Sequence, residues 1–201
     1  SKLKLFLLLL FLPSILLAQK LPKKKEVLRV LNLSNAYWQE KNPAEKWAFW
    51  DIAAYHTGNM EAYKITKNKD FLNYSIRWAE HNEWKGAKSN NKSEWKYSYG
   101  EKDDYVLFGD WQICFQTYID LYNLAPADYK IARAKEVMEY QMSTPQTDYW
   151  WWADGLFLSM QTVLCLMLKK IFTTGMLNTC ILNINRQMVR KIFGRGVMVG
   201  Y

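Results

Sequence analysis

The sequence feature that most constrains the fold is the spacing of apolar residues. They recur every three or four positions in segments separated by short polar or proline-containing turns, as on one face of a helix. No segment shows the sustained alternation typical of a strand. The chain is therefore predicted to be all-α, with helices at about 26–39, 47–66, 70–79, 110–122 and 129–141 and a sixth beginning near Asp154.

The helices are predicted to pair. Asp70 and Asp128 each open a similar apolar stretch directly after a short turn. Paired helices build an α-solenoid or close into an α/α toroid, in which inner helices face a central cavity and loops at one end form the site. Residues 84–104 form a long polar loop rich in Lys, Asn, Ser, Trp and Tyr. A loop of this length in a compact domain is often functional.

Composition narrows the possible partners. The chain has 201 residues, ten tryptophans and a net charge of +8, but much of the basic excess lies at the two ends, so no nucleic-acid partner is expected. Its three cysteines show no regular spacing, and Cys114 is predicted to be a buried free thiol. His56 and His81 are the only histidines, and no cluster has the spacing of metal ligands. No metal or other cofactor is expected.

Residues 1–18 are predicted to be a secretory signal peptide. Lys2 and Lys4 precede an apolar run, and Leu16-Leu17-Ala18 forms an acceptable cleavage site. A membrane anchor is the alternative, although the run is short for a span. The expected location is periplasmic or secreted, with no membrane contact after cleavage.

Residues 149–160 suggest a sugar site. Four consecutive aromatics run into Asp154 and Gly155. Indole faces stack on the apolar faces of a pyranose, and a carboxylate handles protons or hydroxyls. The alternative is an aromatic core cluster with Asp154 as a helix cap.

Three stretches in the same order resemble a known family. They are Trp-Trp-Ala-Asp-Gly-Leu-Phe at 151–157, the aromatic-plus-glycine helix at 50–66 and the acidic helix at 109–122. They are similar to the unsaturated glycuronyl hydrolases, above all the unsaturated rhamnogalacturonyl hydrolases of glycoside hydrolase family 105 and their relatives in family 88. The resemblance covers about 26–162. Phe115 replaces the usual glycine, and Trp111 stands where a second aspartate often lies.

The resemblance implies an (α/α)6 barrel, of which this chain would form about the first half. It implies hydration of the C4=C5 double bond that a polysaccharide lyase leaves on a terminal uronic acid, so the expected partner is an unsaturated oligosaccharide. Asp154 matches the residue that protonates the double bond and activates water, and Asp110 matches the second acidic residue. The substrate-binding candidates are Trp152, Trp151, Trp50, Tyr55 and His56.

Each assignment has a structural alternative. A carboxyl flanked by indole rings has its neutral form favoured, which suits an acid working near neutral pH. Asp110 is otherwise an N-cap of the fourth helix. Trp50 and His56 are otherwise core residues, and core packing is the favoured interpretation for Trp111 and Trp150.

The end of the chain departs from the family. Residues 19–162 are interpreted as the N-terminal half of the glycoside hydrolase domain and 163–201 as an aberrant tail. Back-translation of 191–201, read two bases later, yields W-A-R-G-N-G-W-V, the family's next motif. The tail is therefore expected to be a frameshifted reading, with poor solubility and little activity for these 201 residues. An ordinary divergent tail is the alternative.

Two other functions fit the same pattern. A non-catalytic helical-repeat module would bind glycan or protein in an aromatic groove. An (α/α)6 glycosidase or epimerase of another family would act on saturated sugars.

The frameshift makes a prediction about DNA. The genomic sequence from codon 155 onward is expected to encode the arginine-glycine-asparagine-glycine-tryptophan motif in another frame, followed by further helices. Sequencing several hundred bases past codon 201 checks this; a clean stop with no such frame contradicts it.

Overall fold

The computed structural model describes residues 21–151 and Gly155. The chain divides into two compact units, 1–38 and 39–201. Helix α1 (Lys24–Lys41) forms the described part of the first unit and continues into the second. The signal peptide predicted at 1–18 and the tail predicted at 163–201 lie outside the described residues.

The second unit is helical. Its helices are α2 (Trp50–Thr66), α3 (Lys69–His81), α4 (Cys114–Leu124) and α5 (Tyr129–Ser143), with short 3-10 helices at Lys92–Glu94 and Gly109–Trp111. Helix α2 packs against α3 and α4, and α4 packs against α5. The described residues contain no strand, so the all-α prediction is confirmed.

The helices form two hairpins whose long connections share one end. The Trp47 and Trp111 rings, 5.8 Å apart, bring together the starts of α2 and α4. Gln141, in the last turn of α5, donates to the Leu107 carbonyl at 3.1 Å. Residues 42–49, 82–113 and 144–151 therefore meet at what we call the loop end, and the short turns 67–68 and 125–128 lie at the other.

Helix α2 begins three residues later than predicted. Phe49 is extended, with only 2 % of its surface exposed. The carbonyl of Trp47 accepts a hydrogen bond from Trp78 Nε1 at 3.1 Å. Residues 47–49 therefore do not join the helix. Burial of Phe49 and the hydrogen bond from α3 to the Trp47 carbonyl stabilise them instead.

The long loop leaves α3 through two residues in the left-handed region. Glu83 has φ 55° and Trp84 has φ 58°, a conformation that costs a non-glycine residue about 1–2 kcal/mol. Trp84 is buried, with its ring 5.5 Å from Tyr118 and 5.7 Å from Tyr129. Burial of this indole offsets the backbone cost.

Arg133 on α5 anchors the same loop. Its guanidinium donates to the carbonyls of Ala87, at 3.1 Å, and of Ser89. The guanidinium carbon lies 5.0 Å from the centre of the Trp95 ring, and Nη1 pairs with Glu136 at 2.9 Å. Arg133 is buried, and the loop backbone and Glu136 supply acceptors for its two terminal nitrogens, while Nε has no partner.

Two further features concern the whole described part. No helix there is both long and apolar enough to cross a membrane. Cys114 is a buried free thiol, as predicted; it donates to the Trp111 carbonyl at 3.2 Å, and burial raises its pKa.

The Arg133 anchor predicts the effect of Arg133→Lys. An ammonium keeps the charge but lacks the planar fork, so one buried carbonyl loses its donor. We expect a loss of about 1–3 kcal/mol in the free energy of unfolding. We also expect faster tryptic cleavage after Lys92 and Lys96. Urea denaturation and limited proteolysis measure the two effects. Arg77→Lys, at an exposed arginine, is the matched control, and equal effects at both positions would contradict the anchor.

Candidate functional site

Asp110 lies at the loop end, in the 3-10 helix Gly109–Trp111. Its neighbours Gly109 and Trp111 are buried, whereas Asp110 keeps part of its surface exposed. The N-cap of α4 is Ile113. The alternative of Asp110 as that helix's N-cap is therefore wrong: a separate short turn, closed by the Gln112 amide on the Gly109 carbonyl at 2.8 Å, presents it.

The long loop brings two polar side chains towards Asp110. Trp111 Nε1 donates to the Gly100 carbonyl at 3.1 Å, which fixes the loop against the Asp110 turn. The Tyr99 hydroxyl donates to Glu101 Oε1 at 2.9 Å. This bond, the Glu101 charge, partial desolvation and the charge of Asp110 all raise the pKa of Tyr99. Asp110 therefore lies within electrostatic reach of an exposed phenol.

A continuous row of aromatic rings supports this region. Phe49 lies at its centre, 4.8 Å from the Trp111 ring and 5.1 Å from the Trp47 ring. Phe108 joins the row at 6.4 Å from Phe49 and contacts Tyr99 at 5.6 Å. The buried members hold Trp47 and Tyr99 at the surface, where they are 41 % and 61 % exposed.

Two predicted substrate-binding tryptophans are at the surface. Trp50, the first residue of α2, is 49 % exposed. Trp151 is 57 % exposed, and its Nε1 donates to the Tyr97 carbonyl at 3.5 Å. Trp50 shares the loop end with Asp110, and Trp151 lies against the long loop that reaches the same end. Trp111 and Trp150 were favoured as core residues: Trp111 is buried and Trp150 is half-buried.

Tyr55 and His56 lie deeper along α2. At 1.5 Å per residue they are about 8–9 Å from the helix start. The Tyr55 hydroxyl accepts from Gln39 Nε2 at 3.2 Å, and burial raises its pKa to about 12. His56 has no exposed surface and stacks between Trp78, at 3.9 Å, and Tyr74, at 5.2 Å.

The His56 ring is held neutral. Ser75 Oγ accepts from Asn59 Nδ2 at 2.8 Å and lies 3.0 Å from His56 Nδ1. The hydroxyl proton can thus be donated to Nδ1, which leaves the ring proton on Nε2. Nε2 has no hydrogen-bond partner. Burial lowers the pKa of His56 to about 3.

Two buried side chains, Phe115 and Gln112, follow Asp110 closely in the chain, and the first of them is a departure from the family pattern. Phe115, in place of glycine, is 1 % exposed and packs 6.3 Å from Tyr118. Gln112 is fully buried, and neither its amide nitrogen nor its amide oxygen has a partner. A buried amide without hydrogen-bond partners lowers the free energy of unfolding. The turn that carries the candidate carboxylate therefore includes a destabilising side chain.

The remaining candidates lie outside the described residues. Asp154 and Trp152 belong to that group, and their roles stay predictions. Within the described part, no group of three or more His, Cys, Asp or Glu side chains could hold a metal ion.

The structure adds residues that sequence reasoning missed. The sequence predicts Tyr99 and Glu101 only as part of a polar loop, and it predicts Trp47 as part of a helix. The aromatic content of the loop is the sequence feature that could have indicated them. A loop with several Trp and Tyr has more apolar surface than a solvated connection needs, so it is expected to pack against the helices.

The described part is an all-α unit with a partly exposed carboxylate and surface tryptophans at one end. These features are expected of part of an α/α toroid. Comparison then assigns the family. The family model described as Glycosyl Hydrolase Family 88 matches residues 23–180. The chain therefore belongs to glycosyl hydrolase family 88, and the expected half of an α/α toroid is confirmed.

Two solved structures are similar. One, described as a polysaccharide lyase, is 56 % identical, with a TM-score of 0.73 over 83 % of this chain and 46 % of that one. The other is a glycosyl hydrolase family 88 protein from Bacteroides vulgatus. It is 50 % identical, with a TM-score of 0.73 over 84 % of this chain and 47 % of that one.

This chain thus spans about half the length of these two structures. No curated protein matches it. The family match continues to residue 180, whereas the resemblance carried by the sequence motifs ends at about residue 162.

The neutral His56 predicts a pH dependence of stability. Its pKa is lower in the folded chain than the ordinary value of 6.5, so between pH 6.5 and 3 the unfolded chain binds more protons. The stabilisation is complete above pH 6.5 and is lost as pH falls towards 3, with a slope of at most about 1.4 kcal/mol per pH unit.

His56→Gln is expected to remove this slope, because glutamine does not titrate. Chemical denaturation at several pH values between 4 and 7 measures it. His81→Gln, at an exposed position, is the matched control and should keep the wild-type slope. A His56→Gln slope equal to that of the wild type would refute the assignment.

Proposed function

We propose that this chain is part of a glycosidase that acts on lyase-generated oligosaccharides. The target is the Δ4,5-unsaturated uronic acid at the non-reducing end, of the pectin or rhamnogalacturonan type. The reaction is hydration of the C4=C5 double bond. The observation that carries the proposal is the position of Asp110, partly exposed at the loop end of a family 88 fold beside surface aromatics.

The chemistry needs one acid and a positioned water. The Asp154 carboxyl gives its proton to C4, and a water adds its oxygen to C5. The proton that this water gives up returns Asp154 to its acid form. The product is a hemiketal, which opens and releases the neighbouring sugar without any change of oxidation state.

Asp110 orients the water or a sugar hydroxyl in this scheme. A carboxylate with two accepting oxygens suits that role. The arrangement differs from the acid and nucleophile pair of ordinary glycosidases. Trp50 and Trp151 offer exposed rings for stacking on the sugar, with Trp152 beside Asp154 in the sequence.

Tyr55 and His56 fit a supporting role. Both lie on α2 below Trp50, and the stacked rings of His56, Trp78 and Tyr74 hold that helix against α3. They are proposed to fix the direction of Trp50 towards the sugar.

A second candidate is a polysaccharide lyase, because the 56 % identical structure is described as one. A lyase creates the double bond that the proposed hydrolase consumes. The two reactions therefore change the ultraviolet absorbance of the unsaturated uronate in opposite directions. A non-catalytic glycan-binding module would change it in neither.

The site of action is proposed to be the periplasm or the cell exterior. Polysaccharide lyase products arise where the polysaccharide is degraded, and the predicted signal peptide at 1–18 would direct the chain there.

The activity test uses an unsaturated uronate disaccharide and the 201-residue chain. Turnover by this chain alone is expected to be low, so incubations are long. The ultraviolet absorbance of the unsaturated uronate should fall. Mass spectrometry should find two products whose masses sum to that of the disaccharide plus one water. Asp154→Asn and Asp110→Asn should each reduce the rate by about 10²–10⁴-fold, since each removes a group that moves or orients a proton.

Asp128→Asn, in the turn at the opposite end, should leave the rate unchanged. A rising absorbance with saturated polysaccharide would support the lyase instead. Binding of the disaccharide with no chemical change, unaffected by Asp154→Asn, would support the non-catalytic module.

A further inference from the structure

A depression lies at the loop end, beside the Asp110 turn. Its volume is about 470 Å³, within the roughly 300–1,000 Å³ typical of small-molecule sites. Trp47 and Trp111 form its aromatic side. Loop residues from 86 to 103 form most of the remainder.

Trp47 offers a fixed flat surface there. Its ring is 41 % exposed and meets Trp111 edge to face at 5.8 Å and 86°. Its carbonyl is held by Trp78 Nε1. An exposed indole restrained on its other sides is suited to stacking against the apolar face of a pyranose.

The polar lining carries balanced charge. Two cations, Lys88 and Lys102, face the depression together with two carboxylates, Glu101 and Asp103. His81, which is exposed, also lines the depression. Ammonium groups donate and carboxylates accept, so the two lysines and two acids match hydroxyls, which do both. The charges of these four side chains sum to zero, which favours an uncharged sugar over a uronate.

The depression is built before any ligand arrives. A Cβ at Gly86 would lie 1.9 Å from the Trp111 carbonyl oxygen, so glycine is what lets the loop pass this close. Asp103 Oδ1 accepts from the Lys88 amide at 3.0 Å, and the Asp103 carbonyl accepts from the Ser89 amide at 3.0 Å. Preorganisation of this kind lowers the entropic cost of binding.

The depression also connects to Asp110. Glu101, on its rim, accepts from the Tyr99 hydroxyl, and the charge of Asp110 acts on that phenol. Trp111, on its wall, directly follows Asp110 in the chain.

We propose that this depression is a second subsite, which takes a neutral, saturated pyranose. Its place as the subsite for the sugar next to the unsaturated uronate rests on the proposed function; its capacity to bind a neutral pyranoside does not.

The test compares two ligands that differ only at C6. Methyl α-D-galactopyranoside is neutral, and methyl α-D-galactopyranosiduronate carries a carboxylate. Each is titrated into the 201-residue chain by ligand-observed and protein-observed NMR. The neutral glycoside should bind more tightly. Trp47→Ala should weaken it about tenfold, the loss of one stacking contact, whereas Trp47→Phe should largely retain binding.

Surface variants keep the test independent of folding. Glu101→Gln and Lys102→Met alter exposed side chains and should each weaken the neutral glycoside severalfold. Tyr37→Ala, which removes an exposed aromatic of α1, should change nothing. Tighter binding of the uronate, or equal binding by Trp47→Ala and the wild type, overturns the proposal.

The outcome is separable from that of the activity test. Neutral glycoside binding without any change in the double bond would retain the sugar subsite and reject the hydrolase. Turnover that is sensitive to Asp110→Asn but indifferent to Glu101→Gln and Trp47→Ala would retain the hydrolase and reject the subsite.

Discussion

The buried guanidinium of Arg133 is the interaction on which the loop end depends. It supplies donors to the Ala87 and Ser89 carbonyls and lies over the Trp95 ring. A charge in this position is stable only while the loop backbone surrounds it, and the loop backbone is satisfied only while the charge is there. Each therefore holds the other, and a connection of about thirty residues between α3 and α4 becomes a defined surface instead of a solvated link.

That defined surface is what brings chemistry together at one end. The Trp111 indole fixes the loop at Gly100, so Tyr99 and Glu101 lie near Asp110 although about ten residues of chain separate them. The same indole packs against Trp47, which lies in the segment 42–49 that precedes α2. A carboxylate, a phenol and exposed rings are thus brought together from the two connections 42–49 and 82–113. The packed helices α2 to α5 fix the positions of both connections.

The sequence predicted the helices well because their apolar periodicity is a local property. It placed Asp110 at a helix start, and the structure places it in a separate 3-10 turn, because the turn depends on contacts of Trp111 with Phe49 and Gly100 that are distant in sequence. The start of α2 was misplaced for the same reason: Phe49 is buried by tertiary packing. His56 was named from its motif, yet its neutral, stacked environment follows from α3. Motifs located Asp110, whereas Tyr99 and Glu101 needed the fold.

The two left-handed residues at the end of α3 have a consequence for how such a fold can diversify. Glu83 and Trp84 turn the chain without glycine, and burial of the Trp84 indole against α4 and α5 sets the direction in which the loop departs. The direction of the loop is therefore set before residue 90. Substitutions or length changes between about 90 and 104 that keep Trp95 over Arg133 and Gly100 bonded to Trp111 can reshape the surface offered to a ligand while the helices beneath keep their positions. Variation in the ligand surface is thereby confined to the residues between these fixed points.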